Sequence, residues 1–401
     1  MATGLWAADR AANVAPPRFV FAAEFSTGKV AGFNVNPTNG ELTPTGQAPV
    51  WAHWGPVQVV SDKGGFRLYV ANQGSQDLSV YFINRSNGYL TPVPGSPFAM
   101  GGTGTNVAIA PSGKFVYATT DSSHGGSDGV SGFEVQSDGS LTPVPGSPFY
   151  AETGPDSIVV DPSGRYVYVG HEISATDGYN IDAFSIDGNT GSLTPVAGEP
   201  YTVPTPSQCF FCFGGGIGDL KTDVTGHYLF APVFEDGTIG IYEINGTDGS
   251  LTAAADSPFI ISLPDSPTFP GAQPSSIAVD AVNRFVYTDD LSNDGGGDIS
   301  RNVIDGWALD ASTGALSYAG SFFIPQGTCD QSSLRADPSG KFLYSTADSG
   351  CEQYAGPADG PGVILGMGKK NKAGQLSLLP GSPFPLAGDP ILSVDAIAVT
   401  P

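Results

Sequence analysis

The chain has 401 residues and a formal net charge of −23 at pH 7, from 39 acidic and 16 basic side chains. An acidic protein of this kind is repelled by phosphate backbones and anionic lipids, which argues against nucleic acid or an anionic membrane as a partner. The sequence has no run of about 18 apolar residues, so no membrane span is predicted. The apolar content of 40 % is sufficient for a large core.

Two segments are distinguished by their patterning. Residues 1–17 lack the long apolar stretch of a signal peptide and are predicted to be an extension outside the folded domain. Residues 18–401 repeat one unit from end to end and are predicted to form a single domain. The low fraction of charged residues, 14 %, is typical of exported proteins, so a periplasmic or secreted location is expected.

The repeat is clearest from Pro155 to Pro200. SIVVD and YVYVG are short apolar runs that predict neighbouring buried strands, A and B, joined by the tight turn DPSGR. NIDAFSID alternates apolar and polar residues and predicts strand C, which ends at the turn NTGS. LTPVAGEP predicts strand D, and its prolines place that strand at the outer edge of the sheet.

Seven copies of this unit fill the chain. The second aromatic residue of strand B recurs at separations of 48, 48, 51, 62, 57 and 57 residues, at Phe21, Tyr69, Tyr117, Tyr168, Phe230, Tyr287 and Tyr344. Four strands per unit at this period predict an all-β, seven-bladed β-propeller with antiparallel blades.

The closure of the ring can also be predicted. The first unit begins with strand B at Arg18, whereas the chain ends with DAIAVTP, residues 395–401, which matches strand A. The last strand is therefore expected to complete the first blade in a 1+3 closure that leaves no free edge. Long insertions fall in the D–A and B–C connections, which lie at one mouth of the ring. Because binding sites favour loops on a rigid scaffold, a site is expected at this mouth.

Two cations stand out in the inner strands. Lys221 and Arg335 occupy positions where the other five copies have small apolar residues. A buried cation needs a partner, so the pair indicates either a subsite for an anionic ligand or structural ion pairs with acids. Polar residues such as Asp219 and Asp395 line the mouth end of strand A and are candidate substrate ligands.

Histidines supply the candidate acid–base groups. His171 lies beside Glu172 and near Asp156, and an imidazole oriented by a carboxylate can transfer a proton near neutral pH. The alternative is an ordinary surface histidine. His53 lies in the exit loop of blade one between Trp51 and Trp54, as a candidate substrate contact. The two indoles could stack on a sugar ring or cover the edge of the blade.

The four cysteines suggest disulfides. Cys329 and Cys351 are expected above adjacent strands of blade seven, which favours a disulfide bond in an oxidising compartment. Cys209 and Cys212 form a C-x-x-C motif, either a small disulfide or half of a metal site. No cofactor is expected, with calcium in acidic loops such as DLSNDGGGD as the alternative, although that spacing does not match an EF-hand.

The turn motifs carry a family resemblance. In DPSGRYVY, APSGKFVY, DPSGKFLY and the PGSPF segments, the chain resembles the seven-bladed lactonase family, which includes propeller 6-phosphogluconolactonases and carboxymuconate lactonising enzymes. The resemblance covers residues 18–401 and implies a propeller that hydrolyses a sugar-type or carboxylated lactone. It also implies channel arginines, and Arg335 is similar in kind. The family's histidine before strand A has no counterpart among the matching positions Val57, Thr105, Asp156, Gly218, Ser275, Ser332 and Asp395.

Two functions from different classes remain. The first is an exported lactonase in which His171 or Asp156 activates water, while Arg335 and Lys221 hold an anionic group or the developing oxyanion. The second is a non-catalytic propeller. Its mouth loops would bind a carbohydrate, peptide or protein, or its outer faces would mediate self-association.

Overall fold

The computed structural model of the protein describes residues 18–400, apart from 123–126, 172–178, 205–215, 235, 262–273, 283, 294–298, 325–327, 330–332, 350–361 and 387–393. The described strands form seven small antiparallel sheets, each the blade of a propeller. This confirms the predicted fold class. No helix in the described ranges is long and apolar enough to cross a membrane.

Each blade consists of strands A to D from the channel outwards, and the chain enters at strand B of blade one. The B strands are β1 Phe19–Glu24, β6 Arg67–Asn72, β11 Phe115–Asp121, β16 Tyr166–His171, β21 Tyr228–Val233, β26 Phe285–Asn293 and β31 Phe342–Ser349. The C strands are β2 Lys29–Val35, β7 Asp77–Ile83, β12 Gly129–Val135, β17 Tyr179–Ile186, β22 Thr238–Ile244, β27 Ile299–Leu309 and β32 Val363–Lys369. The inner A strands are β35 Val394–Val399, β5 Pro56–Ser61, β10 Thr103–Ile109, β15 Pro155–Val160, β20 Lys221–Thr222, β25 Ile277–Val279 and β30 Leu334–Ala336.

The outer D strand differs from the prediction of one continuous strand. In every blade but the sixth, two short strands pair separately with strand C. They are β3 Leu42–Pro44 and β4 Val50–Trp51, β8 Leu90–Pro92 and β9 Phe98–Ala99, β13 Leu141–Pro143 and β14 Phe149–Tyr150, β18 Leu193–Pro195 and β19 Tyr201–Val203, β23 Leu251–Ala253 and β24 Phe259–Ile260, and β33 Leu376–Leu378 and β34 Phe384–Pro385. Blade six has a single outer strand, β28 Leu316–Phe323. The short strand β29 Thr328–Cys329 that follows it pairs with β31, strand B of blade seven.

The break in strand D follows from its proline-containing turn. Proline has no N–H to continue the ladder, and in blade two the Ser96–Pro97 peptide bond is cis. The Ser96 hydroxyl fills the gap by accepting the Val80 N–H at 2.9 Å. The predicted strand therefore exists as two pieces, because a side chain replaces the backbone partner between them.

The ring closes as predicted. Strand β35 pairs antiparallel with β1, with Val399 opposite Val20 and Ala396 opposite Ala23. Thr400 adds two contacts, since its hydroxyl accepts the Phe19 N–H and its carbonyl accepts the Arg18 N–H, both at 3.1 Å. The carboxyl-terminal strand is therefore the inner strand of blade one.

The hydrophobic core lies between the blades. Buried apolar side chains in the described residues form seven clusters, each joining two neighbouring blades. Four strand B tyrosines reinforce these contacts, because each hydroxyl donates to a glycine carbonyl in the C–D turn of the next blade. The pairs are Tyr117 with Gly191, Tyr168 with Gly249, Tyr287 with Gly374 and Tyr344 with Gly40.

Candidate functional site

The inner strands are irregular at the mouth end. The A–B ladder shifts register between Pro56 and Gln58 in blade two and between Pro155 and Ser157 in blade four. Such a bulge adds one residue and redirects its neighbours. The extra residue in blade four is Asp156, which is exposed to solvent.

Serines at the mouth end of strand A link neighbouring blades around the channel. The Ser157 hydroxyl accepts the Leu220 N–H at 2.6 Å, and the Ser276 hydroxyl accepts the Leu334 N–H at 2.9 Å. Because Leu220 directly follows Asp219 and Ser157 directly follows Asp156, this contact places the backbones of Asp156 and Asp219 at a similar level on neighbouring blades.

A hydrogen-bonded network connects four blades at this level. Arg335 Nη1 donates to Asp219 Oδ2 at 2.6 Å, and its Nη2 donates to Gln58 Oε1 at 3.1 Å. Gln58 Nε2 in turn donates to Asn106 Oδ1 at 3.3 Å. Lys221 Nζ lies 2.5 Å from Asp219 Oδ1. The guanidinium of blade seven therefore bridges blades five and two across the channel; we call these five side chains the channel network.

The charges of the channel network do not balance. Two cations share the Asp219 carboxylate, which leaves a net charge of +1. Burial tends to raise the pKa of Asp219, but Arg335 and then Lys221 outweigh it and hold this pKa below its ordinary value. Burial lowers the pKa of Lys221 to about 8, against the opposing effect of Asp219. The structural ion pair considered from the sequence is thus present, and the excess positive charge leaves room for an anion.

His171 does not contact this network. Its side chain is only 1 % exposed, and Nε2 lies 3.0 Å from Asp182 Oδ2 on the adjacent strand C, without the geometry of a hydrogen bond. It shares the face of Val167 and Val169, which pack in the core between blades three and four. Its proposed partner Glu172 lies outside the described residues, so the predicted His171–Glu172–Asp156 group stays a prediction.

A cavity of about 310 Å³ opens near the His171–Asp182 pair between blades three and four. Three carboxylates line it, those of Glu152, Asp182 and Glu199. Burial raises the pKa of Glu199, and Asp182 and Glu152 add to that effect. This cavity lies along strands C and D and is therefore separate from the channel.

His53 is held in a second polar cluster. Its Nδ1 lies 2.7 Å from Asp77 Oδ2, and its backbone has φ of +105°. Asn72 Nδ2 donates to Asp77 Oδ1 at 2.8 Å and also contacts the Ser79 hydroxyl at 3.0 Å. His53 therefore contacts strand C of blade two and not the channel network.

Several predicted residues lie wholly or partly outside the described ranges. Cys209, Cys212 and Cys351 lie outside the described residues, and for Cys329 and Asp395 only the backbone is described. Both disulfides therefore remain predictions. Within the described ranges, no group of three or more His, Cys, Asp or Glu side chains is positioned to hold a metal ion. The acidic loop considered for calcium is only partly described, because residues 294–298 are missing from those ranges.

Four further side chains join the predicted residues: Gln58 and Asn106 in the channel network, Asp77 beside His53 and Asp182 beside His171. Gln58 and Asn106 immediately precede Val59 and Val107, the buried residues of their inner strands. This shared position in the repeat is the feature of the sequence that could have indicated their place in the channel. Asp77 and Asp182 open or interrupt strand C. Their pairing with His53 and His171 depends on the conformation of the loop and the register of the strands, which the residue pattern did not predict.

The fold and the channel geometry define a seven-bladed β-propeller with a polar, cation-containing channel mouth. The sequence matches the family described as "Lactonase, 7-bladed beta-propeller" over residues 5–101 and 93–211. The chain therefore belongs to this lactonase family. Comparison with curated proteins gave no match.

Solved structures support the same fold at low sequence identity. A candidate 6-phosphogluconolactonase of Bacteroides fragilis is 16 % identical with a TM-score of 0.68, covering 96 % of this chain and 98 % of that one. A candidate 6-phosphogluconolactonase of Bacteroides uniformis is 17 % identical with a TM-score of 0.67, covering 96 % and 100 %. The periplasmic gluconolactonase of Pseudomonas aeruginosa is 15 % identical with a TM-score of 0.50, covering 90 % and 81 %.

Proposed function

We propose that this protein hydrolyses a lactone that carries an anionic group, at the channel mouth beside the channel network. The observation that carries the proposal is the shared carboxylate: Arg335 and Lys221 both lie within 2.6 Å of Asp219 oxygens, which gives the channel network a formal charge of +1. In a protein with a formal charge of −23, a local positive site would select an anionic substrate from solution.

The reaction needs a base and an oxyanion partner. Asp156 is exposed and its backbone lies level with that of Asp219 on the neighbouring blade, whereas His171 is enclosed, so we assign the base to Asp156. Its carboxylate would take a proton from water as the water oxygen attacks the lactone carbonyl. Arg335 and Lys221 would stabilise the negative charge on the carbonyl oxygen. The bond to the ring oxygen then breaks, and that oxygen takes the proton from Asp156 to give the hydroxy acid.

The named neighbours favour sugar lactones as substrates. Two are described as candidate 6-phosphogluconolactonases and a third as a periplasmic gluconolactonase. A phosphate or carboxylate on the lactone would suit the excess positive charge. We propose a periplasmic or secreted location on the low charge density of the chain and the predicted disulfides.

The test is hydrolysis of a panel containing 6-phosphogluconolactone, gluconolactone and a carboxylated lactone. Arg335→Ala should lower kcat/KM by about a hundredfold or more, as loss of an oxyanion donor does. Asp156→Asn should lower kcat with less effect on KM. Lys63→Met, at an exposed lysine in a turn on the opposite face, is the matched control. Unchanged hydrolysis rates in Arg335→Ala would show that the channel network takes no part in the reaction.

A non-catalytic role has one observation in its favour. Arg335 already donates to Asp219, Gln58 and the Leu334 carbonyl, so three of its N–H donors have partners without a ligand. In that case, the channel network would serve to hold blades two, five and seven in place. The lactone panel would then show no turnover with the wild-type protein, while Arg335→Ala would still lower its stability.

A further inference from the structure

The loop that carries His53 differs from its counterpart in the next blade. The Ser79 hydroxyl donates to the Ala52 carbonyl and the Ser131 hydroxyl donates to the Met100 carbonyl, both at 2.5 Å. Ala52 and Met100 therefore occupy equivalent positions in successive D–A loops. It follows that His53 and Trp54 stand where the next loop has Gly101 and Gly102.

The backbone at this position favours glycine. Gly101 has φ of +84°, and a Cβ placed on it would meet no atom within 4 Å. His53 adopts φ of +105° in the same position, where most side chains are disfavoured. The scaffold thus requires the turn but not the imidazole. An unfavourable backbone conformation that persists with a specific side chain points to a role for that side chain.

The imidazole of His53 is oriented by buried polar side chains. Nδ1 of His53 is hydrogen-bonded to Asp77 Oδ2, and the fully buried Asn72 donates to Oδ1 of the same carboxylate. The side chain of His53 is 38 % exposed, compared with 12 % for Asp77. This arrangement fixes the ring plane and leaves Nε2 for a ligand at the surface.

Two tryptophans adjoin this imidazole. The Trp51 and Trp54 rings are perpendicular with centroids 5.2 Å apart, and the Trp51 and His53 centroids are 6.1 Å apart. The indoles are 46 % and 62 % exposed, respectively. A Cβ on Gly28 would lie 2.6 Å from the Trp51 ring, so that glycine allows the close packing that fixes the ring. The four side chains of Trp51, His53, Trp54 and Asp77 form what we call the His53 site.

We propose that the His53 site binds a neutral saccharide. A rigid aromatic surface beside a few oriented polar groups is the usual composition of a small-ligand site. A pyranose ring presents C–H groups to an indole and hydroxyl groups to Nε2. The formal charge of −23 disfavours acidic polysaccharides, which is why the ligand is neutral. The site lies over strand C of blade two, separate from the channel network, so the inference does not depend on lactone hydrolysis.

The experiment measures tryptophan fluorescence and calorimetric binding with cellohexaose, xylohexaose, maltohexaose and chitohexaose. Trp54→Ala should weaken binding of the responding oligosaccharide by about tenfold. His53→Gly introduces the residue found in the next blade and should also weaken binding, while the melting temperature stays equal or rises. Phe66→Ala removes an aromatic side chain of similar exposure, 52 %, from a turn on the opposite face, and should leave binding unchanged.

Each result bears on the proposal. Binding that is lost in Trp54→Ala and His53→Gly but kept in Phe66→Ala supports it. Failure of all four oligosaccharides to bind the wild-type protein, or equal binding by all variants, overturns it. A lower melting temperature for His53→Gly together with unchanged binding would also overturn it, because the imidazole would then serve only to stabilise the loop.

Discussion

Replacing Asp219 by asparagine tests the channel network directly. The carboxylate lies 2.6 Å from the Arg335 guanidinium and 2.5 Å from the Lys221 ammonium. Removing one member of a buried ion pair costs about 3 to 5 kcal/mol, because the remaining charge is left uncompensated. Lys221 is 25 % exposed and can lose its proton, and Arg335 keeps its bond to Gln58. We therefore expect the lower end, about 3 kcal/mol.

The measurement is urea-induced unfolding, followed by tryptophan fluorescence, to which the buried Trp307 contributes. Glu243→Gln, at an exposed carboxylate, is the matched control and should change the free energy of unfolding by less than about 0.5 kcal/mol. The double variant Asp219→Asn/Lys221→Met should recover part of the lost stability, because one of the uncompensated charges is then absent.

Two outcomes would refute this reasoning. If Asp219→Asn unfolds within about 0.5 kcal/mol of the wild type, the ion pairs contribute little and the residues are effectively solvated. If the double variant is less stable than the single one, Lys221 contributes through packing of its stem more than through its charge.

Three further predictions concern stability. Burial lowers the folded-state pKa of Lys221 to about 8, so between pH 8 and 10 this lysine is protonated in the unfolded chain but not in the folded one. The wild type should therefore gain stability relative to Lys221→Met as the pH rises from 8 to 10. Unfolding curves at both pH values would check this. Tyr344→Phe should lose about 1 kcal/mol through its interblade hydrogen bond, whereas Phe230→Tyr should gain a similar amount by reaching the equivalent Gly314 carbonyl; thermal melts that show no change in either would contradict this. Deletion of residues 394–401 should abolish cooperative unfolding, because blade one loses its inner strand; a retained transition would exclude the closure as essential.

Local patterning was enough to predict the ring. The aromatic position of strand B, the DPSGR-type turns and the unmatched first and last units predicted seven blades and the closure, and β35 pairs with β1 as expected. These features depend on period, turn chemistry and alternation, which are properties of neighbouring residues. Strand D was the exception, since the Val80 N–H donates to the Ser96 hydroxyl, and not to a backbone carbonyl, at the break in that strand.

The sequence by itself also determined that Lys221 and Arg335 would need partners, because buried cations are costly wherever the chain places them. Only the tertiary structure decided that Asp219 serves both, that Arg335 reaches Gln58 at a separation of 277 residues, and that His171 faces Asp182 inside a blade. The contacts of Arg335 join different blades, and the contact of His171 joins two strands of one blade. Their geometry depends on ring closure and strand register, neither of which is encoded near any one of the residues involved.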